Sequence, residues 1–244
     1  MKRRQFIKTT LASGIALSVI PHFAFQEQTS SISYDHLIGK GNPILFGDGY
    51  KLQKDAYDSF SELKSAALKE GIHIQVVSSY RNYAHQNRIW ERKFKRFTNN
   101  GLSPIQSIEK IIEYSTIPGT SRHHWGTDID IIDTNVEQPN SVLQPRHFEK
   151  GGCFHKLKSW MDDNSKNFGF HLVYTNNPDR KGFKYEPWHY SFKPISQNYL
   201  KQYLKLDIET IISEEKLLGH QYFSKQFISK YLNQNILDIN PELL

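Results

Sequence analysis

Midway along the chain, carboxylates alternate with branched apolar side chains: Asp128, Ile129, Asp130, Ile131. The alternation closes a ten-residue stretch, SRHHWGTDID at residues 121–130, that also holds two adjacent histidines and a glycine. A strand over 127–132 places Asp128 and Asp130 on one face and Ile129 and Ile131 on the other. Gly126 supplies an unusual backbone turn between the histidine pair and that strand. The alternation does not choose between the two aspartates, because both share the polar face.

His and Asp are ligands for a divalent ion of zinc type. Further along lie Glu186, Pro187, Trp188 and His189. A catalytic zinc takes three protein ligands and keeps a position open for water, and it needs a nearby carboxylate that is not a ligand. His123, Asp130 and His189 can supply the ligands, and Glu186 the base. Glu186 and His189 differ by an odd offset, which a flat strand would point to opposite faces. Pro187 rules out a regular central strand there, and a bend brings both to one site.

The pattern of Ser121, His123, Gly126 and Asp130, followed by Glu186 and His189, resembles the VanY-type D-alanyl-D-alanine metallocarboxypeptidase family. That family belongs to the larger lysostaphin, D-Ala-D-Ala peptidase and Hedgehog group. The resemblance, over roughly residues 50 to 192, implies zinc held by His123, Asp130 and His189, with Glu186 as catalytic base. It favours His123 over His124 and Asp130 over Asp128. Asp128 stands where the family often has a small residue, leaving it as a contact to a ligand or to substrate. The resemblance also implies a substrate-facing arginine, Arg81, and a glutamine on the following helix, Gln86; Ser121 is a further substrate contact. Arg81 can bind a peptide carboxylate in bidentate fashion or stabilise the oxyanion of a tetrahedral intermediate.

Around these motifs the periodicities predict an α+β fold: a small antiparallel sheet carrying the zinc site, flanked by helices grouped to one side, with a C-terminal helical extension. Residues 55–69 have helical apolar spacing closed by Gly71, and 72–77 alternate as a strand with one buried face. A basic helix follows over about 83–97. Its run of Arg88, Arg92, Lys93, Lys95 and Arg96 reads as a solvated face, with Ile89, Trp90 and Phe94 turned inward. Ser103 and Pro104 open another helix. A polar stretch after Asp133 reads as a loop over the site, and a helix and a strand lead from Phe154 to Thr175. Leu200, Tyr203, Ile208, Ile211 and Ile212 mark helices that are either packing elements or a partner surface. The domain reading is a signal at 1–25, a polar Gly-rich linker at 26–53, the peptidase domain at 54–194 and the extension at 195–244.

Charge and cysteine use narrow the function classes. Lys2, Arg3, Arg4 and Lys8 lie in the first eight residues, and without them the formal +6 falls to +2. Nucleic acid is therefore not an expected partner. Residues 2–8 resemble a twin-arginine export signal, followed by an apolar run at 9–20 and Pro21. That run is too short for a membrane span, which needs ~20 residues. The expected location is the periplasm or extracytoplasmic cell envelope. With one cysteine, Cys153, no internal disulfide can form. The expected activity is a zinc carboxypeptidase, with one zinc per chain, acting on D-Ala-containing stem peptides or muropeptides of peptidoglycan. A noncatalytic zinc-containing cell-wall-binding module is the alternative, and Glu186 speaks against it because a structural site needs no base. No nucleophile-elbow sequence surrounds Ser121, which argues against a serine hydrolase.

Overall fold

Ile74–Ser78 (β1), Asp128–Asp133 (β2), Phe170–Leu172 (β3) and His189–Phe192 (β4) form one antiparallel sheet in the order β1-β2-β4-β3. This computed structural model describes residues 31–244, and the signal reading at 1–25 lies outside them. The helices are Tyr34–Leu37 (α1), Lys54–Lys69 (α2), Tyr83–Asn99 (α3), Pro104–Ile111 (α4), His155–Asn164 (α5), Lys193–Tyr203 (α6), Ile208–Glu214 (α7) and Lys225–Tyr231 (α8). No helix among the described residues is long and apolar enough to cross a membrane.

The register of the two central strands does most to position chemistry. Asp130 pairs with His189 and Asp128 with Ser191 across β2 and β4. Directly paired residues of an antiparallel ladder share a face with Cβ atoms ~4.5–5.5 Å apart. One face of β2–β4 therefore carries Asp128, Asp130, His189 and Ser191, all buried. The other carries Ile129, Ile131, Tyr190 and Phe192, which belong to a core cluster with Phe60 and Leu63 of α2 and Leu157 and Met161 of α5. Between Val76 and Ser78 the β1–β2 register shifts. Such a bulge re-aims the chain at the end of a strand, and here it leads out towards Arg81.

The helices form two groups rather than the single one expected from sequence. A second cluster joins Trp90 and Phe94 of α3 and Ile108 and Ile111 of α4 to Leu200, Tyr203, Ile211, Ile212, Ile228 and Tyr231 of α6 to α8. The C-terminal extension is thus a packing element, and its boundary with the peptidase domain vanishes into a shared core. It also holds the approach to β4. Arg180 donates to the backbone of Asp238, Thr175 and Phe183, while Asp238 Oδ2 accepts from the Lys181 and Gly182 amides.

The linker reading at 26–53 is corrected over its described part. Leu37, Ile38 and Leu52 are buried, and the Trp125 indole donates to the Leu37 carbonyl at 3.1 Å. The Gln53 amide donates to the Gly126 carbonyl at 2.9 Å, and Phe46 and Leu52 form a small antiparallel bridge. Polar, Gly-rich composition resembles a linker, yet here the backbone itself finds partners next to the histidine motif.

Candidate metal centre

Residues Arg122–Trp125 form one 3₁₀ turn, capped by Ser121, whose hydroxyl accepts from the His123 amide. The turn ends at Gly126 with φ +67°, and a Cβ there would approach Leu45 to 2.8 Å. Only glycine meets both demands at no steric cost. The turn and β2 together bring His123 beside Asp130, with His123 Nε2 at 3.5 Å from Asp130 Oδ2. The Glu186 carbonyl accepts from the His189 amide at 3.1 Å, closing the turn that Pro187 and Trp188 make. That bend sets Glu186 Oε2 at 3.0 Å from His189 Nδ1, on the face where His189 Nδ1 lies 3.8 Å from Asp130 Oδ1.

The outer hydrogen bonds of the two histidines choose their tautomers. His123 Nδ1–H donates to the Ser79 carbonyl at 2.8 Å, leaving the Nε2 lone pair towards Asp130. His189 Nε2–H donates to Asp128 Oδ2 at 2.9 Å, leaving Nδ1 inward. This is the arrangement by which carboxylates and carbonyls orient metal-ligating imidazoles. Asp128 is fixed in turn by Arg122 Nε, Ser191 Oγ and Thr127 Oγ1. Burial opposes its ionisation, but Arg122 and His189 hold its pKa well below the usual carboxylate range.

Three donor atoms, one each from His123, Asp130 and His189, lie within 4.8 Å of one another. Ligand atoms around a tetrahedral zinc at ~2.0–2.2 Å sit roughly 3.3 Å apart, close to the 3.5 and 3.8 Å found here. Asp130 Oδ1 is buried with no hydrogen-bond partner among the described residues. Burial, with Glu186 and Asp128 adding to it, pushes Asp130 up to about 6. Burial would lower His189, yet Asp130, Asp128 and Glu186 hold it up to about 10. The charge of the pocket thus calls for a cation between these side chains, and the donor set fits zinc.

The remaining sequence candidates separate cleanly. Arg81 lines the same cleft of about 700 Å³ as Ser121, Glu186 and the three ligand candidates. Its backbone amide donates to the His123 carbonyl, and its Nε has no partner among the described residues. Asn82 caps α3 by accepting from the His85 amide, which fixes the start of the helix just after Arg81. His124 is not a ligand candidate: its Nδ1–H donates to the Arg81 carbonyl and its Nε2 accepts from the Gly119 amide. Burial pushes it down to about 4, so it is a neutral staple.

Gln86 is corrected. It is fully buried, does not line the cleft, and donates from Nε2 to the Thr116 carbonyl at 2.9 Å. Its phase explains this, because 86, 90 and 94 form the inward stripe of α3 with Trp90 and Phe94. Trp188 closes one wall of the cleft, with its ring 5.7 Å from Phe148 and 6.5 Å from Tyr114. Sequence reasoning missed Arg122 and Tyr174, whose ring stands edge-on to His189 at 5.1 Å. Only the folded register brings these two to the site.

The VanY description, D-alanyl-D-alanine carboxypeptidase, matches residues 49–195. The chain is 27% identical over 192 residues to a D-alanyl-D-alanine carboxypeptidase of Enterococcus faecalis, covering 74% of this chain and 66% of that protein. Among solved structures, VanYB in complex with D-Ala-D-Ala superposes with a TM-score of 0.53 at 23% identity, covering 72% of this chain and 92% of that one. A VanY variant from a VanB-type resistance cassette, solved in complex with Zn(II), gives 0.51 at 22% identity, covering 79% and 100%. Both likenesses concern the fold.

Proposed function

The chain belongs to the VanY D-alanyl-D-alanine carboxypeptidase family, and on that premise we propose that it is a zinc-dependent carboxypeptidase cleaving D-Ala-terminated stem peptides of peptidoglycan. One observation carries the reading: Asp130 and His189 are ladder partners, with His123 beside them and Glu186 within 3.0 Å of His189. A noncatalytic binding module has no use for that last carboxylate. The names of the enterococcal relative and of the D-Ala-D-Ala complex support the substrate class.

His123 Nε2, Asp130 and His189 Nδ1 would hold one zinc per chain. Bound there, zinc supplies a Lewis acid for the scissile carbonyl and the attacking water. Glu186 accepts the proton of that water and returns it to the leaving amine of the terminal D-alanine. Arg81, which lines the cleft, stabilises the negative charge that develops on the carbonyl oxygen. Ser121 borders the same space and contacts substrate. Asp128 and the Ser79 carbonyl hold both imidazoles correctly turned while this happens. Burial and the nearby Arg81 likewise keep His123 well below its ordinary pKa.

Purified protein loaded with zinc should release D-alanine from a muropeptide ending in D-Ala-D-Ala. Chelator should stop the release and added zinc restore it. Chelator-resistant release, or none at all from the metal-loaded protein, would overturn the reading. We also propose export to the extracytoplasmic envelope, on the strength of Arg3 and Arg4 ahead of a short apolar run. Replacing both with lysine should leave the protein in the cytoplasm, and unchanged export would refute the signal.

A further inference from the structure

The basic run on α3 does not face solvent alone. Arg92, Lys93 and Arg96 line the cleft that contains the metal centre, together with His85 and Ile89 of the same helix. Positions 85, 89, 92, 93 and 96 share one side of a helix of 3.6 residues per turn, beside the inward stripe of Gln86, Trp90 and Phe94. From 85 to 96 this wall runs ~16 Å at 1.5 Å per residue. An extended peptide rising ~3.3 Å per residue covers that length with about five residues.

The wall lacks counter-charge. None of Arg92, Lys93 and Arg96 makes an ion pair among the described residues. Away from the metal centre, the one acid bordering the cleft is Glu113, already held by Lys110 and Lys184 at 2.9 Å each. Lys93 donates only to the neutral Ser115 hydroxyl. Burial, and then the neighbouring Arg81, Arg96 and Arg92 acting against Glu186, pull Lys93 down to about 8. Burial also lowers His85, with Arg81, Arg88 and Arg92 adding to it. Positive groups crowded against one another in a half-enclosed groove are relieved by an arriving anion.

We propose that Arg92, Lys93 and Arg96 form a specificity subsite for a carboxylate of the substrate, upstream of the bond cut at the metal centre. This rests on the peptidase reading, which places the scissile bond beside Arg81 and Glu186. The terminal carboxylate lies within one residue of that bond. A wall ~16 Å long is longer than one terminal residue occupies and therefore serves a second acidic group, a few residues towards the peptide's N-terminus. The substrate class is an acidic peptide with a D-Ala terminus, in preference to its amidated counterpart.

The test uses two N-acetylated pentapeptides ending in D-Ala-D-Ala, one with glutamate and one with glutamine at the second position. D-alanine release is measured on the zinc-loaded protein, and affinity by calorimetry on zinc-loaded Glu186→Gln. The glutamate peptide should bind at least ~10-fold more tightly and show a matching kcat/KM advantage, as for a charge-assisted contact. The advantage should shrink towards unity at ~0.5 M salt. In the Arg92→Gln, Arg96→Gln double variant it should vanish, while zinc content and Tm show that the fold persists. Equal binding of the two peptides, binding of neither, or a preference surviving the double variant overturns the subsite. If the glutamate peptide binds more tightly but neither is cut, the peptidase reading fails and the subsite stands. If both are cut and bound equally, the subsite fails and the peptidase reading stands.

Discussion

The two faces of β2 and β4 are made by the same pair of strands with opposite physics. On one, Ile129, Ile131, Tyr190 and Phe192 are buried among the aromatic and aliphatic side chains of α2 and α5. On the other, Asp128, Asp130, His189 and Ser191 are as deeply buried, but among charges. Burial of the apolar face drives folding, at ~25 cal/mol per Å². Burial of the polar face opposes it, and is tolerated because nearly every group there has a partner. Asp130 Oδ1 has no hydrogen-bond partner among the described residues, and it lies where the proposed cation would bind. One face therefore holds the fold and the other holds the chemistry.

Substitutions on the two faces should separate along the same line. The largest effect is expected from the polar face: His189→Ala and Asp130→Ala each remove a proposed zinc ligand, so bound metal and hydrolysis should fall to background together. Zinc analysis and a D-alanine release assay on each variant check this, and a variant that kept both would break the assignment. On the apolar face, Ile131→Ala should cost ~2–5 kcal/mol of stability through a core cavity, or roughly 5–15 °C in Tm, with zinc stoichiometry retained. The smallest effect belongs to Asp128→Asn. It keeps the shape that accepts from His189 Nε2 but loses the charge, and zinc affinity should drop ~10- to 100-fold without abolishing binding. If Asp128→Asn empties the site while Asp130→Ala does not, the two aspartates have exchanged roles.

Much of this comparison was legible in the sequence, since strand alternation by itself assigns Asp128, Asp130, Ile129 and Ile131 to faces. What alternation leaves open is which aspartate joins the two histidines in the candidate ligand set. That depends on the register of β4, set by contacts between residues some sixty positions apart such as Ser191 to Asp128. The basic face of α3 was legible as a face but not as a cleft wall, because solvent and groove impose the same helical period. The family pattern puts Gln86 at the substrate, against its own helical phase, which aligns it with Trp90 and Phe94. Residues 31–53 were illegible for another reason. Their order comes from backbone hydrogen bonds such as Gln53 to Gly126, and composition does not report those.

In the proposed mechanism ligand and base are different residues three positions apart, and Glu186→Gln separates the two roles. The amide keeps the size of the side chain and its place beside His189 but cannot accept a proton at neutral pH. Zinc content and D-alanine release from a D-Ala-D-Ala muropeptide, measured on one preparation, should give near-normal metal with turnover slowed ~10²- to 10⁴-fold. Full activity in that variant, or loss of zinc from it, would show that Glu186 is not the base.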